Sequence, residues 1–291
     1  MNIDNYRVFL RVAKTKNITA AAEQLGYTQS GVSHIIAQME NEFGFPLLIR
    51  SKMGVRLTHD GERMLPSMRE LINRDEQLHQ VADEIKGIRS GKLRVGAFSS
   101  VATHWLPQII KEFNLFYPNI EFDISIGTYE TIEDLIADEE IDCGFMSSVS
   151  IKHLDFHPLK DDRMLALLPE NHPLAKRDAL PLKEITNLDF IIPGEGSKYD
   201  IGHILADAGI SPRVRFTVSD DYAAIAMVRN GLGMTIVPEL ILTGLHDTGH
   251  VMELHPACAR TIGIATYPNI AISPACRAFL DFVRVWANGL A

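Results

Sequence analysis

At 291 residues, with 46% hydrophobic and 22% charged residues, the chain has the make-up of a folded protein of more than one domain, not of a disordered or fibrous one. No apolar run approaches the ~18 residues that cross a bilayer, and the opening stretch MNIDNYRVFLRVAKTKN carries charges where a signal peptide would be apolar, so the chain is expected in the cytoplasm, away from membranes. The net charge of −9 would exclude a nucleic-acid binder only if it were spread evenly; residues 1–58 hold seven Lys/Arg against four Asp/Glu, net +3, and residues 91–291 hold 16 against 26, net −10.

Such an asymmetry suits a small nucleic-acid module joined to an acidic partner domain. The three cysteines, Cys143, Cys258 and Cys276, stand far apart and never as C-x-x-C, which gives neither a disulfide framework nor a zinc site. They read as buried thiols.

In chain order, Tyr6, Phe9, Leu10, Val12 and Ala13 follow helical spacing, with Asp4 as cap or first-turn acid. A second helix is expected over 20–25, capped by Thr19 and closed by Gly26, and a third begins after Thr28. In that third helix Val32, Ile35, Ile36 and Met39 form an apolar stripe, while Gln29, Ser30, Ser33, His34 and Gln38 face away. Two short helices around a glycine turn are a helix-turn-helix. The segment FPLLIRSKMGVRLT then predicts a hairpin, with strands around 47–50 and 55–57 and a turn through Gly54.

Thr58 can cap a long helix from His59 to about Arg89. Its seam of Met64, Met68, Leu71, Leu78, Val81 or Ala82, Ile85 and Ile88 keeps the three-four spacing by which helices pair, interrupted by Asp75. Pro66 is expected to distort its first turns. From LRVGAF onward the period changes. Strands at 93–98, 121–127 and 142–146 alternate with helices over 105–116 and 131–137. A second set follows, with strands at 164–169, 188–193, 213–218 and 233–238 and helices over 200–208 and 221–230, and then IGIATY at 262–267 and a helix over 273–287. Alternation of this kind predicts an α/β domain on a parallel sheet.

The stretch AAAEQLGYTQSGVSHIIAQMENEFGFPLLIRSKMGVRLTHDGE carries the QS-x-VS core, the G-x-PL-x-x-R approach to the hairpin and the RLT-x-x-G exit in order. By these residues the chain resembles the LysR-type transcriptional regulators. GKLRVG at 91–96, ID-x-G at 141–144, HPLA at 172–175 and NGLGMTIVP at 230–238 extend the likeness over essentially the whole length. The resemblance implies a multidomain α+β protein. Residues 1–58 would form a winged helix-turn-helix DNA-binding domain and 59–90 a linker and dimerisation helix. Residues 91–291 would form a periplasmic-binding-protein-like effector domain of two α/β lobes, lobe I at 91–161 and 267–291 and lobe II at 162–266.

A helix in the major groove reads base edges through donors, acceptors and methyl contacts, none of which needs a cation. The expected DNA-facing set is therefore Thr28, Gln29, Ser30, Ser33 and His34. Phosphate contacts fall to Arg50, Lys52 and Arg56 of the wing, with Arg7, Arg11, Lys14 and Lys16 as helpers. Family members often carry a basic residue where this chain has His34 or Ala37.

Effectors of α/β domains sit beyond the carboxyl ends of strands, in the cleft between lobes. That rule and the resemblance nominate Ser99, Ser100, Thr128, Met146, Ser147, Pro193, Ser197 and Ser219, with Lys198 as the near cation and a small carboxylate as the expected effector. Expected partners are operator DNA, the effector, further copies of the chain as dimer or tetramer, and RNA polymerase. No cofactor is expected. His153 and His157 lie in an extended segment and are not read as a metal site, and the chain carries no G-x-S-x-G elbow, P-loop or dinucleotide fingerprint, which argues against an enzyme. The competing expectation is a cytoplasmic solute receptor whose N-terminal unit serves only for interaction.

Overall fold

The computed structural model describes residues 2–51, 54–85, 90–193, 195–268 and 272–290, without the side chains of 83–84 and 195–197. Its contacts divide the chain into two compact units, Met1–Ile88 with Asp138–Glu140, and Arg89–Ala137 with Ile141–Ala291.

In the first unit α1 (Ile3–Thr15), α2 (Ile18–Leu25) and α3 (Gln29–Phe43) precede a hairpin of β1 (Leu48–Ser51) and β2 (Gly54–Leu57), and α4 (His59–Ile85) follows. Val8, Phe9 and Val12 of α1, Ile18, Ala21 and Ala22 of α2, and Val32, Ile36 and Met39 of α3 meet in one core with Leu47, Leu48, Val55 and Met68. Helix α2 starts earlier than its composition suggested because Asn17, not Thr19, is the cap: its carbonyl oxygen accepts from the N–H groups of Thr19 and Ala20. Gly26 ends α2 at φ 70°, which a residue with a Cβ adopts only at a cost. Thr28 Oγ1 then accepts from Gly31 N at 3.1 Å and opens α3.

The hairpin is fastened to this core through its backbone. Glu40 Oε1 accepts from Leu47 N at 2.8 Å and Leu48 N at 3.1 Å; Thr58 donates to Pro46 O at 2.8 Å and accepts from Gly61 N at 2.9 Å to cap α4. Helix α4 runs through Pro66 without a break. Met68 and Ile72 are buried, yet Leu71, Leu78, Val81 and Ile85 stay exposed, Ile85 at 82%. Ile88, the last residue of the expected seam, lies outside the described residues.

The second unit opens with β3 (Ser90–Ala97), α5 (Ser99–His104), α6 (Leu106–Phe113), β4 (Asn119–Ile126), α7 (Tyr129–Ala137) and β5 (Cys143–Ser147). There follow β6 (Asp155–Leu168), β7 (Ala179–Pro181), β8 (Asp189–Ile192), α8 (Glu195–Asp207), β9 (Arg213–Thr217), α9 (Asp221–Arg229), β10 (Thr235–Pro238), α10 (Glu239–Leu242), β11 (His250–Thr266) and α11 (Pro274–Asn288). The sheet runs β10-β6-β11-β5-β3-β4, with β7 beside β11, and β8 pairs with β9 separately.

This sheet is mixed, not parallel throughout. Strands β4 and β5 flank β3 in parallel, but β11 is antiparallel to both β5 and β6. The reason is two long strands, β6 and β11, that pass between separate hydrophobic cores. One core gathers Leu93, Val95, Phe113, Ile132, Phe145 and Phe279; another gathers Met164, Leu180, Phe190, Ile201, Leu205 and Met252. Each core belongs to one lobe, and the crossing strands form the connection.

Within the first lobe Gly144 lets α7 lie close on β5, since a Cβ there would stand 2.4 Å from Ile132 Cγ2. Asp142, two residues earlier, accepts from the backbone N and the Nη2 of Arg94, both at 2.7 Å, which ties the approach of β5 to β3. Cys143 and Cys276 are buried in this core, and the hydrogen bond between them and burial together push the Cys143 thiol well above its ordinary range. Cys258, expected to be buried, is half-exposed on β11.

Candidate functional site

The start of α3 is a polar surface. Thr28, Gln29, Ser30 and His34 are exposed and Ser33 half-buried, while Val32, Ile36 and Met39 on the opposite side have no exposed surface. Gln29 Nε2 donates to Ser33 Oγ at 2.9 Å, one helical turn on, which holds the amide along the outer face. In the wing Arg50 and Arg56 are exposed, and Arg50 lies opposite Val55 while Arg56 lies opposite Ile49. Lys52 lies outside the described residues.

Of the expected helpers, Arg7 is committed elsewhere: its guanidinium reaches Asp4 at 3.1 Å, Asp75 at 3.4 Å and Glu76 at 3.5 Å. Arg11 donates to Gln24 at 3.3 Å. Lys16 has left-handed backbone, φ 52°, as the C-cap of α1. Both wing arginines stand within the one element that projects beyond the three-helix core, and the neutral helix α3 leaves the charge to them.

A second concentration of polar chemistry is buried between the two lobes of the other unit. Arg260 of β11, 3% exposed, lies beside Asp162 of β6 in the strand register and donates to its Oδ2 from Nε at 2.9 Å and Nη2 at 2.7 Å. Asp162 Oδ1 accepts from Leu240 N at 3.0 Å. The guanidinium also donates to Ser100 Oγ at 2.9 Å and Tyr129 Oη at 3.1 Å, and it lies 4.9 Å from the Phe98 ring. Tyr129 Oη and Ser147 Oγ in turn donate to the carboxylate of Asp200 at 2.9 and 2.6 Å.

Ser100, Tyr129 and Ser147 follow the carboxyl ends of β3, β4 and β5, the place where open α/β sheets bind ligands. Burial by itself lowers the basicity of Arg260; Tyr129, Asp162 and Asp200 around it overcome that and hold it above the ordinary range, so it remains a cation. Burial also pushes the Tyr129 hydroxyl upward, which keeps its proton available for donation. The Asp162 carboxyl is raised by burial against the pull of Arg260 and the Leu240 N–H.

Comparison with known proteins decides what carries these two sites. Residues 3–62 match the profile described as bacterial regulatory helix-turn-helix protein, lysR family, and residues 86–287 match that of the LysR substrate binding domain. The uncharacterized HTH-type transcriptional regulator YvbU of Bacillus subtilis is 30% identical over 287 residues, 98% of each chain. The chain belongs to the LysR family of transcriptional regulators. It is a DNA-binding regulator with an effector-binding domain.

Solved structures share the LysR fold. A full-length OxyR variant from Pseudomonas aeruginosa matches with a TM-score of 0.78 at 22% identity, over 98% of this chain and 95% of that one. The effector binding domain of QuiR in complex with shikimate matches with a TM-score of 0.64 at 25% identity, over 69% of this chain and 99% of that one.

Among the LysR effector residues nominated from sequence, Ser100 and Ser147 enter the buried network around Arg260. Ser99 is exposed at the start of α5, and Thr128 Oγ1 caps α7 by accepting from Thr131 N at 3.1 Å. Met146 has no exposed surface and packs within the first lobe's core. Pro193 is buried just after β8, Ser219 is exposed after β9, and the side chain of Ser197 lies outside the described residues. Lys198, expected to be the cation, is exposed, and the buried cation is Arg260.

Sequence reading missed Arg260, Asp162, Asp200 and Tyr129. The lost signal was strand β11, whose first half contains Pro256 and no clean alternation, so the register that pairs Arg260 with Asp162 was not visible. No helix among the described residues is long and apolar enough to cross a membrane. No cluster of three or more metal-ligating side chains occurs among them.

Proposed function

We propose that this LysR regulator reads its operator with Gln29, Ser30, Ser33 and His34 of α3, grips phosphates with Arg50 and Arg56, and responds to a small carboxylate held between the lobes. Base edges in the major groove supply partners for an amide, hydroxyls and an imidazole, and wing arginines supply the sequence-independent affinity. Thr28 positions this set by capping the helix and stands at the same face. The chain acts in the cytoplasm, where operator DNA and RNA polymerase are found.

The observation that carries the effector assignment is Arg260, a buried guanidinium ringed by the hydroxyls of Ser100 and Tyr129 at the strand ends. A cation with hydroxyl donors in a site shielded from water is a receptor for an anion, and the fork geometry favours a carboxylate. QuiR, the LysR relative solved with shikimate, binds a molecule of that class in its corresponding domain. Effector binding changes lobe closure, and closure changes how copies assemble through α4; the ligand acts by preferring one arrangement.

The assembly itself follows from α4. Leu71, Leu78, Val81 and Ile85 form an apolar stripe at helical spacing that the described residues leave exposed, and a second copy of α4 covers it in a coiled coil. Thermal unfolding of the full chain against a panel of small carboxylates and their neutral amides tests the effector reading. A carboxylate that raises the midpoint, and whose amide does not, is the expected result; stabilisation by amides alone would reject it.

A further inference from the structure

The donors that make this site a carboxylate receptor already hold a carboxylate, and it belongs to the protein. Asp200 lies on α8, whose Ile201 and Leu205 pack in the second lobe's core. Its carboxylate nevertheless reaches out of that lobe, accepting from Ser147 Oγ at 2.6 Å and Tyr129 Oη at 2.9 Å and standing 3.6 Å from Arg260 Nη1. Ser147 and Tyr129 belong to the first lobe, and Arg260 to a crossing strand. Asp200 is 2% exposed, so no part of this contact is a solvated surface pair.

Asp200 is not needed to neutralise Arg260. Asp162 already does so, with two hydrogen bonds from the guanidinium across adjacent strands. Asp200 is a second carboxylate beside one cation, and its hydrogen-bonding partners there are hydroxyls that would serve any carboxylate equally. The preceding residue, Tyr199, donates to Glu130 of α7, so the same turn of α8 is fixed to the first lobe at two successive positions. The tyrosine rings of 199 and 129 lie 6.4 Å apart between these bonds.

We propose that Asp200 is a tethered occupant of the effector's carboxylate seat, and that a free carboxylate takes the hydroxyls of Ser147 and Tyr129 and the edge of Arg260 only by displacing it. Three carboxylates around one buried guanidinium would leave charge uncompensated where water is excluded, so entry and displacement are one event. Displacement frees α8 from the first lobe, which turns ligand exchange into a change of lobe closure. Because the tethered group competes intramolecularly, the effector's apparent affinity is lowered by the fraction of time the seat is filled. This inference rests on the reading that the effector enters this cleft, and the test separates the two.

The full-length chain carrying Asp200→Ala is titrated with sodium formate against sodium chloride at equal ionic strength, and thermal unfolding is followed. Asp200→Ala is expected to melt below the parent, with formate raising its midpoint saturably and leaving the parent unmoved; adding Ser147→Ala to the variant should weaken formate at least tenfold. Formate acting no differently from chloride on a variant whose circular dichroism shows it folded, or acting equally on the parent, would overturn the proposal. Should Asp200→Ala not fold, Asp200→Asn serves by calorimetry, where formate binding at least tenfold tighter than to the parent supports the proposal and equal binding overturns it. The same variants are tested for retention of a duplex selected from random sequence. Formate rescue without any change in duplex retention would support the tethered seat and defeat the link from cleft to DNA.

Discussion

Arg260 is the residue on which the effector domain's buried chemistry turns, since its guanidinium serves Asp162, Ser100 and Tyr129 together. Removing one partner from a buried charge network leaves the others uncompensated, which costs about 3–5 kcal/mol. Arg260→Ala is therefore expected to lower stability by about that amount in urea unfolding, far beyond a surface arginine; a loss within ~0.5 kcal/mol would contradict the network. In the DNA-binding unit the division between reading and gripping predicts two different phenotypes. Gln29→Ala should cost ~1–3 kcal/mol on the preferred duplex and little on others, whereas Arg56→Ala should weaken all duplexes alike and reduce the salt slope by about one per site. Fluorescence anisotropy at several salt concentrations distinguishes them. The exposed side of α3 was legible because Thr28, Gly26 and the stripe of Val32, Ile36 and Met39 each act locally. Arg260 was not, because its role depends on a partner 98 residues away in sequence that only strand register brings alongside.

At the scale of elements, α4 carries the most direct prediction. Each apolar side chain covered in a paired seam contributes ~1.5–3 kcal/mol. Leu78 is 67% exposed in the single chain, so Leu78→Glu should leave the fold intact and weaken self-association about tenfold or more by sedimentation velocity. Unchanged association would place the pairing elsewhere. Helix α7 rests on β5 through Gly144, and Gly144→Ala would bring a methyl 2.4 Å from Ile132 Cγ2; a loss of ~1–3 kcal/mol on thermal unfolding is expected from such overpacking. Helix α10 is bound to β6 by Arg163, which donates to both carboxylate oxygens of Glu239 and holds that carboxyl below its ordinary range. A carboxyl depressed in the folded state contributes stability that is full above the ordinary carboxylate range and is lost as pH falls through the folded value. The stability gap between the parent and Glu239→Gln should thus close between neutral pH and pH ~3, and a gap that persists at acid pH would deny the pair its role. The helices were readable from periodicity and caps, but β6 and β11 were read only in part, since charges and prolines break their alternation where they cross between cores.

For the whole molecule, the net charge of −9 conceals a basic N-terminal module, and the family likeness of both halves fits that division. Fold and family were legible because the helix-turn-helix signature is a run of adjacent residues. The effector seat was legible only at Ser100 and Ser147, because the rest of it is assembled from strands and a helix far apart in the chain. The central claim is that the neutral face of α3 chooses sequence while the wing arginines supply charge. The measurement that meets it most directly is binding of the full chain to a duplex selected from random sequence and to its scrambled counterpart, across salt concentrations. The account predicts at least about a thousandfold preference for the selected duplex, with affinity falling steeply as salt rises. Equal affinity for both duplexes, or retention indifferent to salt, would contradict it.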